Sequence, residues 1–217
     1  MSITERFKKI RQDAELERKE ELVKTAEEKE YKCKLKSAEK SSLDNCELAI
    51  HKFGIRDIFK EINENRLNNR GAIHITSGIV DWSETPWGVQ HDGDVHHHRD
   101  ARADLTLNFM ANHTPFTLHA RVVRNVRNLD NPYCFEFFLH SGEDRQGRKI
   151  YHPHNVDTLG SRGFSINTIQ GDSYIKKEPN KNTRPTNNEE TSSVEIEELC
   201  LEKIVEVCEP AVKAGYL

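Results

Sequence analysis

The sequence predicts an α+β fold: an antiparallel meander sheet of about five or six strands packed against helices, with a polar N-terminal helical arm and a linker-tethered C-terminal helix. Three observations predict it. Apolar residues alternate with a period of two at Ala101, Ala103, Leu105, Leu107, Phe109 and Ala111, then at Phe116, Leu118, Ala120 and Val122. Apolar residues recur at helical spacing on either side of that stretch, at Ile55, Ile58, Phe59 and Ile62 and again at Ile196, Leu199, Cys200, Ile204, Val207 and Cys208. Residues 171–193 carry two prolines and almost nothing to bury.

The elements follow in chain order. Residues 1–40 hold 12 basic and 10 acidic side chains and no glycine or proline, which predicts a solvated charged helix laced with i,i+4 pairs. Ile3, Phe7, Ile10 and Ala14 begin a coiled-coil spacing that Glu17 and Glu21 then break. Residues 41–170 are predicted to form the core domain. Its first part is helical, with Gly54 as a break and the cluster Asn63, Asn65, Asn68, Asn69, Gly71 as a stop. Ile73 and Ile75 then alternate with His74 and Thr76 as a strand.

The strands at 101–111 and 116–122 are predicted to pair antiparallel across a loop at 112–115. That register sets Ala111 opposite Phe116, Phe109 opposite Leu118, Thr106 opposite Arg121 and Asn108 opposite His119. Asn131-Pro132 marks a turn, Phe135, Phe137 and Leu139 continue the sheet, and Lys149–His152 and Phe164–Ile169 read as shorter strands. Residues 171–193 read as a disordered linker, and residues 194–217 as an amphipathic helix with a Ser192/Glu195 capping box, ending at Pro210.

Composition narrows the class of answer. Hydrophobic residues are 35% and charged residues 31% of the chain, and the net charge is −4, which argues against general attraction to nucleic acid or acidic membranes. No apolar run approaches membrane-spanning length, so no membrane partner is expected. The five cysteines are odd in number and include no Cys-x-x-Cys pair, which predicts free thiols and a cytoplasmic setting.

The stretch HDGDVHHHRD at 91–100 is the densest concentration of chemistry-bearing side chains. If the strand begins before Ala101, then His96, His98, Asp100, Arg102 and Asp104 extend one polar face. Between residues 66 and 170 the basic side chains are ten arginines and one lysine. Arginine's planar fork suits carboxylate or phosphate, so Arg102, Arg121, Arg124 and Arg127 are candidates for an anion-binding strip. The ligand-binding candidates are thus His96, His98, Arg102, Arg121 and Arg124. Histidine and aspartate also ligate zinc, manganese or iron, which makes His91, Asp94, His96 and His98 the metal candidates, although their spacing matches no common pattern.

His74-Ile75-Thr76 on one strand, with His152 and His154 after another, resembles the paired His-x-Ser/Thr strands of the two-histidine phosphoesterases. The resemblance implies one imidazole as base, one as acid, and hydroxyls holding a phosphate. His154 is followed by Asn155-Val156, so the second hydroxyl is missing, and the strand-rich middle differs from that fold. His74, His119 and His154 are the catalytic candidates. There is no Gly-x-Ser-x-Gly elbow and no glycine-rich phosphate loop.

These readings lead to an intracellular, non-enzymatic binding protein whose His/Arg-rich sheet face and loop engage an anionic ligand or partner. A protein partner or self-association through the arm is expected, with nucleic acid as a further anionic class. The alternative is a histidine- or metal-dependent phosphoesterase or nuclease, and a third reading is a structural assembly subunit. No cofactor is predicted under the first reading, and a divalent metal belongs to the second.

Overall fold

The computed structural model describes residues 3–84, 96–127, 132–141, 158–169 and 192–217. The element order is α1 (Ile3–Lys52), α2 (Ile55–Asn65), β1 (Ala72–Glu84), β2 (His96–Ala111), β3 (Thr114–Asn125), β4 (Tyr133–Ser141), β5 (Thr158–Ile166) and α3 (Ser193–Lys213). The strands form one five-stranded sheet in the order β1-β2-β3-β4-β5, antiparallel at every step. The fold is therefore the α+β meander that the two-residue alternation predicts. The predicted strand at 149–152 lies outside the described residues, as does most of the stretch read as a linker.

The chain divides into two compact units, Met1–Lys40 and Ser41–Leu217. In the first, helical residues Phe7, Leu16, Leu22 and Tyr31 are all exposed. Pairs such as Lys34–Glu30 at 2.6 Å and Lys32–Glu28 at 4.0 Å lie along the helix surface, where each contributes a few tenths of a kcal/mol.

In the second unit the core lies on one face of the sheet. Ala101, Ala103, Leu105, Leu107 and Phe109 of β2 are buried there with Leu118, Ala120 and Val122 of β3 and Phe135, Phe137 and Leu139 of β4. The end of α1 packs on this face: the Phe53 ring meets Phe135 edge-on at 5.8 Å, and Asn45 donates to the Tyr133 hydroxyl at 3.0 Å. Gly54, at φ 65°, makes the break between α1 and α2, a backbone state that costs an L-residue about 1 kcal/mol. α3 contributes Ile196, Cys200, Ile204, Val207 and Ala211 to the same core.

Three boundaries differ from the expectations. The β2–β3 register is shifted by two residues: Phe109 pairs with Phe116, Leu107 with Leu118, Thr106 with His119 and Asp104 with Arg121. The connection is a two-residue turn, Asn112-His113, with both residues left-handed at φ 49° and 64°. That is the turn whose twist matches a hairpin, and asparagine tolerates it better than most residues. A shift of two keeps every side chain on its own face, so apolar alternation alone does not distinguish the two registers. β5 begins at Thr158, earlier than Phe164, and ends at Ile166. α3 runs through Pro210 to Lys213, because burial of Ala211 offsets the one backbone N–H that proline withholds. The Ser192/Glu195 capping box is present as expected.

Candidate functional site on the second sheet face

The face turned away from the helices is built by the opposite parity of the same strands. Cross-strand rows follow from the register. His74, Thr106, His119 and Phe138 form one row, and Thr76, Asp104, Arg121 and Glu136 the next. The two-residue turn therefore brings Asp104 directly opposite Arg121, which the longer loop would not have done.

Asp104 is the hub. Its Oδ1 accepts a hydrogen bond from His119 Nε2 at 2.7 Å and another from Arg121 Nε at 3.0 Å. Its Oδ2 accepts from Arg102 Nε. Arg121 reaches further, to Glu136 Oε2 at 3.5 Å, and its guanidinium lies over the Phe138 ring at 5.4 Å from the centroid. The His119 and Phe138 rings meet edge-on at 5.9 Å, and Phe138 and His140 stack at 5.8 Å. Thr117 Oγ1 donates to Asn108 Oδ1 at 2.8 Å one row along. His119, Phe138 and His140 are buried, whereas Arg102 and Arg121 keep part of their surface in solvent.

Burial alone would raise the Asp104 carboxyl. The hydrogen bond and charge of His119, and then those of Arg102, outweigh it and hold the group at about 2. Burial pulls His119 below its ordinary 6.5, against the opposing pull of Asp104. A neutral imidazole still donates its Nε2–H, and the guanidiniums still supply charge, so Asp104 remains ionised.

The sign of the pH dependence follows. Below pH 6.5 the unfolded chain takes up a proton at residue 119 that the folded chain resists, so stability is full above 6.5 and falls below it. Urea midpoints measured from pH 7.5 down to about pH 5.5 should fall more steeply for wild type than for His119→Gln. Parallel slopes would show that this imidazole does not contribute.

The other expected site residues scatter. His74 is exposed, two strands from His119 in the same row, about 10 Å away across the sheet. The backbone of His96 pairs with Glu84 and that of His98 with Trp82, at the far end of β2. Ten residues of strand separate His96 from the row of His119, about 33 Å. His91, Asp94 and His154 lie outside the described residues. Among the described residues, no group of three His, Cys, Asp or Glu side chains is placed to hold a metal ion.

Arg124 faces the helices: it pairs with Ala101 in the register, donates to the Tyr133 hydroxyl at 2.6 Å and lies over that ring at 4.5 Å. The parity of the strand explains it, since residues 121 and 124 point to opposite faces. Arg102 and Arg121 therefore share a face from which Arg124 is excluded.

No buried thiol offers a nucleophile. Burial pushes Cys46 and Cys208 up to about 12 and raises Cys200 as well. Asp104, the center of the arrangement, was not among the expected ligand-binding residues. Its signal was present in the sequence as one of two carboxylates, Asp100 and Asp104, alternating with Arg102 on the polar side of a strong strand.

Comparison with known proteins adds no template: no family model matches the chain, and no curated protein or solved structure is significantly similar to it. Among the described residues no helix is long and apolar enough to cross a membrane.

Proposed function

We propose that the chain is a non-enzymatic binding protein whose second sheet face takes an anionic ligand through Arg102 and Arg121. One observation carries the reading. A single carboxylate anchors both guanidiniums through their Nε atoms, which turns their Nη ends away from the anchor. Arg102 makes no further hydrogen bond among the described residues, and its side chain is 30% exposed. Two forks fixed in this way lose little freedom on binding, which favours a carboxylate or phosphate over water. Arg102 and Arg121 are balanced by Asp104 and Glu136, so the attraction for an anion comes from the aimed N–H groups of Arg102 and not from net charge, and Phe138 and the exposed His74 flank them on the next row.

An intracellular setting accords with the five free thiols. His96 and His98 belong to this reading as a second, more distant contact on the same strand. A phosphoesterase or nuclease has less support, because acid–base chemistry needs its imidazoles together, and His74, His119 and His96 do not share one ligand-sized space.

Calorimetric titration with inorganic phosphate, citrate and an acidic peptide tests the proposal. Wild type is expected to bind at least one of them. Arg102→Gln, which leaves the Arg121–Asp104 pair in place, should weaken that affinity about tenfold, the loss of one charge-assisted contact. Absence of binding to all three, or equal affinity for wild type, Arg102→Gln and the Arg102→Gln/Arg121→Gln double variant, would overturn it.

A further inference from the structure

The sheet has two outer edges, and they are treated differently. On the β5 edge, α3 packs along the strand, and Arg162 of β5 pairs with Glu206 of α3 at 3.0 Å. β5 is nine residues long, and its pairing with β4 shifts register between Leu139 and His140. Cover, charge, shortness and irregular pairing are the usual devices that keep an edge from pairing with another chain.

Among the described residues the β1 edge has little of this over residues 72–80, where the Ser77 hydroxyl donates to Glu47 of α1 on the helix face. β1 is 13 residues long and pairs with β2 without a register shift. AIHITSGIV contains no lysine, arginine, aspartate, glutamate or proline. Ile75 and Val80, on opposite faces, are 36% and 37% exposed. Space around Gly78 is open, with no atom within 4 Å of where a Cβ would stand. Among the described residues no strand pairs with the outer side of β1.

We propose that β1 is an interface at which a second copy of this chain adds its own β1, antiparallel and about a two-fold axis, to make one continuous ten-stranded sheet. Such an axis stands perpendicular to the sheet, so facing residues must have the same parity, and the helices of both copies stay on one face. Centring the axis on Thr76 sets Ile73 opposite Ile79 of the second copy, and Ile79 opposite its Ile73. On the other face it sets His74 opposite Gly78 and Ala72 opposite Val80. No pairing in that register juxtaposes like charges, and the Ile–Ile contact is made twice on the side where both cores already lie. Placing the axis at Ser77 or Gly78 would set Ile73 or Ile75 against Asp81 instead. The self-complementarity of residues 72–80, which carry no formal charge, is what favours a second copy over a charged peptide.

Sedimentation over a dilution series, with hydrogen exchange read along the chain, tests this. Wild type should move from 25.1 kDa toward twice that mass as concentration rises, with β1 amides gaining protection in step. Ile75→Lys and Val80→Lys place an edge charge on each face in turn, and each should weaken the dimer at least about tenfold. Val80 lies on the face away from the helices, so Val80→Lys keeps the test valid if Ile75→Lys destabilises the monomer. A protein monomeric up to millimolar concentration, a dimer indifferent to both lysines, or protection that rises in residues 3–40 instead of β1 would overturn the proposal.

Discussion

Asp104→Asn is expected to cost about 3 kcal/mol at neutral pH, because it removes the anion that two partly buried guanidiniums share. The amide preserves shape and its oxygen still accepts the bonds from His119 and Arg121, so the loss is largely electrostatic. The pH dependence separates charge from packing. With Asp104 at about 2 in the folded chain and 3.8 when unfolded, its ionised form stabilises the fold by on the order of 2 kcal/mol above pH 3.8. That contribution declines as pH falls from 3.8 and is gone below about 2. Urea unfolding of wild type and Asp104→Asn should therefore show a gap at pH 7 that narrows steadily through this acid range. A gap that is constant with pH would assign the loss to shape, and no gap at neutral pH would remove Asp104 as the anchor of the arginines.

The same residue shows what the sequence made legible and what it did not. Alternation from Ala101 to Val122 identified the strands, their faces and the core, since each side chain's face depends only on parity. It could not fix the register to better than an even number of residues. Turn chemistry decided that, and Asn112-His113 made the shorter connection at left-handed φ, while Pro115 joined β3 near its start opposite Met110. The polar face was therefore expected with the right residues in the wrong rows. Thr106 stands beside His119 and Asp104 beside Arg121, and the carboxylate hub arises from that difference.

Arg124 teaches a simpler lesson. Its count from Arg121 already assigned it to the helix face, and the cluster of arginines in sequence hid the parity. For His91, Asp94 and His154, alternation offered no constraint to begin with. The helices were legible where an apolar face was buried, as at Ile55, Phe59, Ile196 and Ile204. Residues 3–40 were legible from charge spacing alone, because there the helix surface is nearly all solvent.

The division of β2 into two faces predicts the other large effect. Leu107 is fully buried at the centre of a row with Ile73, Leu118 and Leu139. Leu107→Ala removes its packed methyls and leaves a cavity that a sheet held on both sides cannot close, at a cost of about 3 kcal/mol. Met110, three positions on, points to the other face and is 64% exposed. Met110→Ala should therefore change stability by less than about 0.5 kcal/mol. Both side chains are large and apolar, both stand on the same strand, and only their parity separates them. Equilibrium urea unfolding of the two variants thus reads the orientation of β2 directly. Comparable losses, or the larger loss at Met110, would mean that β2 presents its faces the other way round, and that Asp104 and Arg102 point into the core instead of toward a ligand.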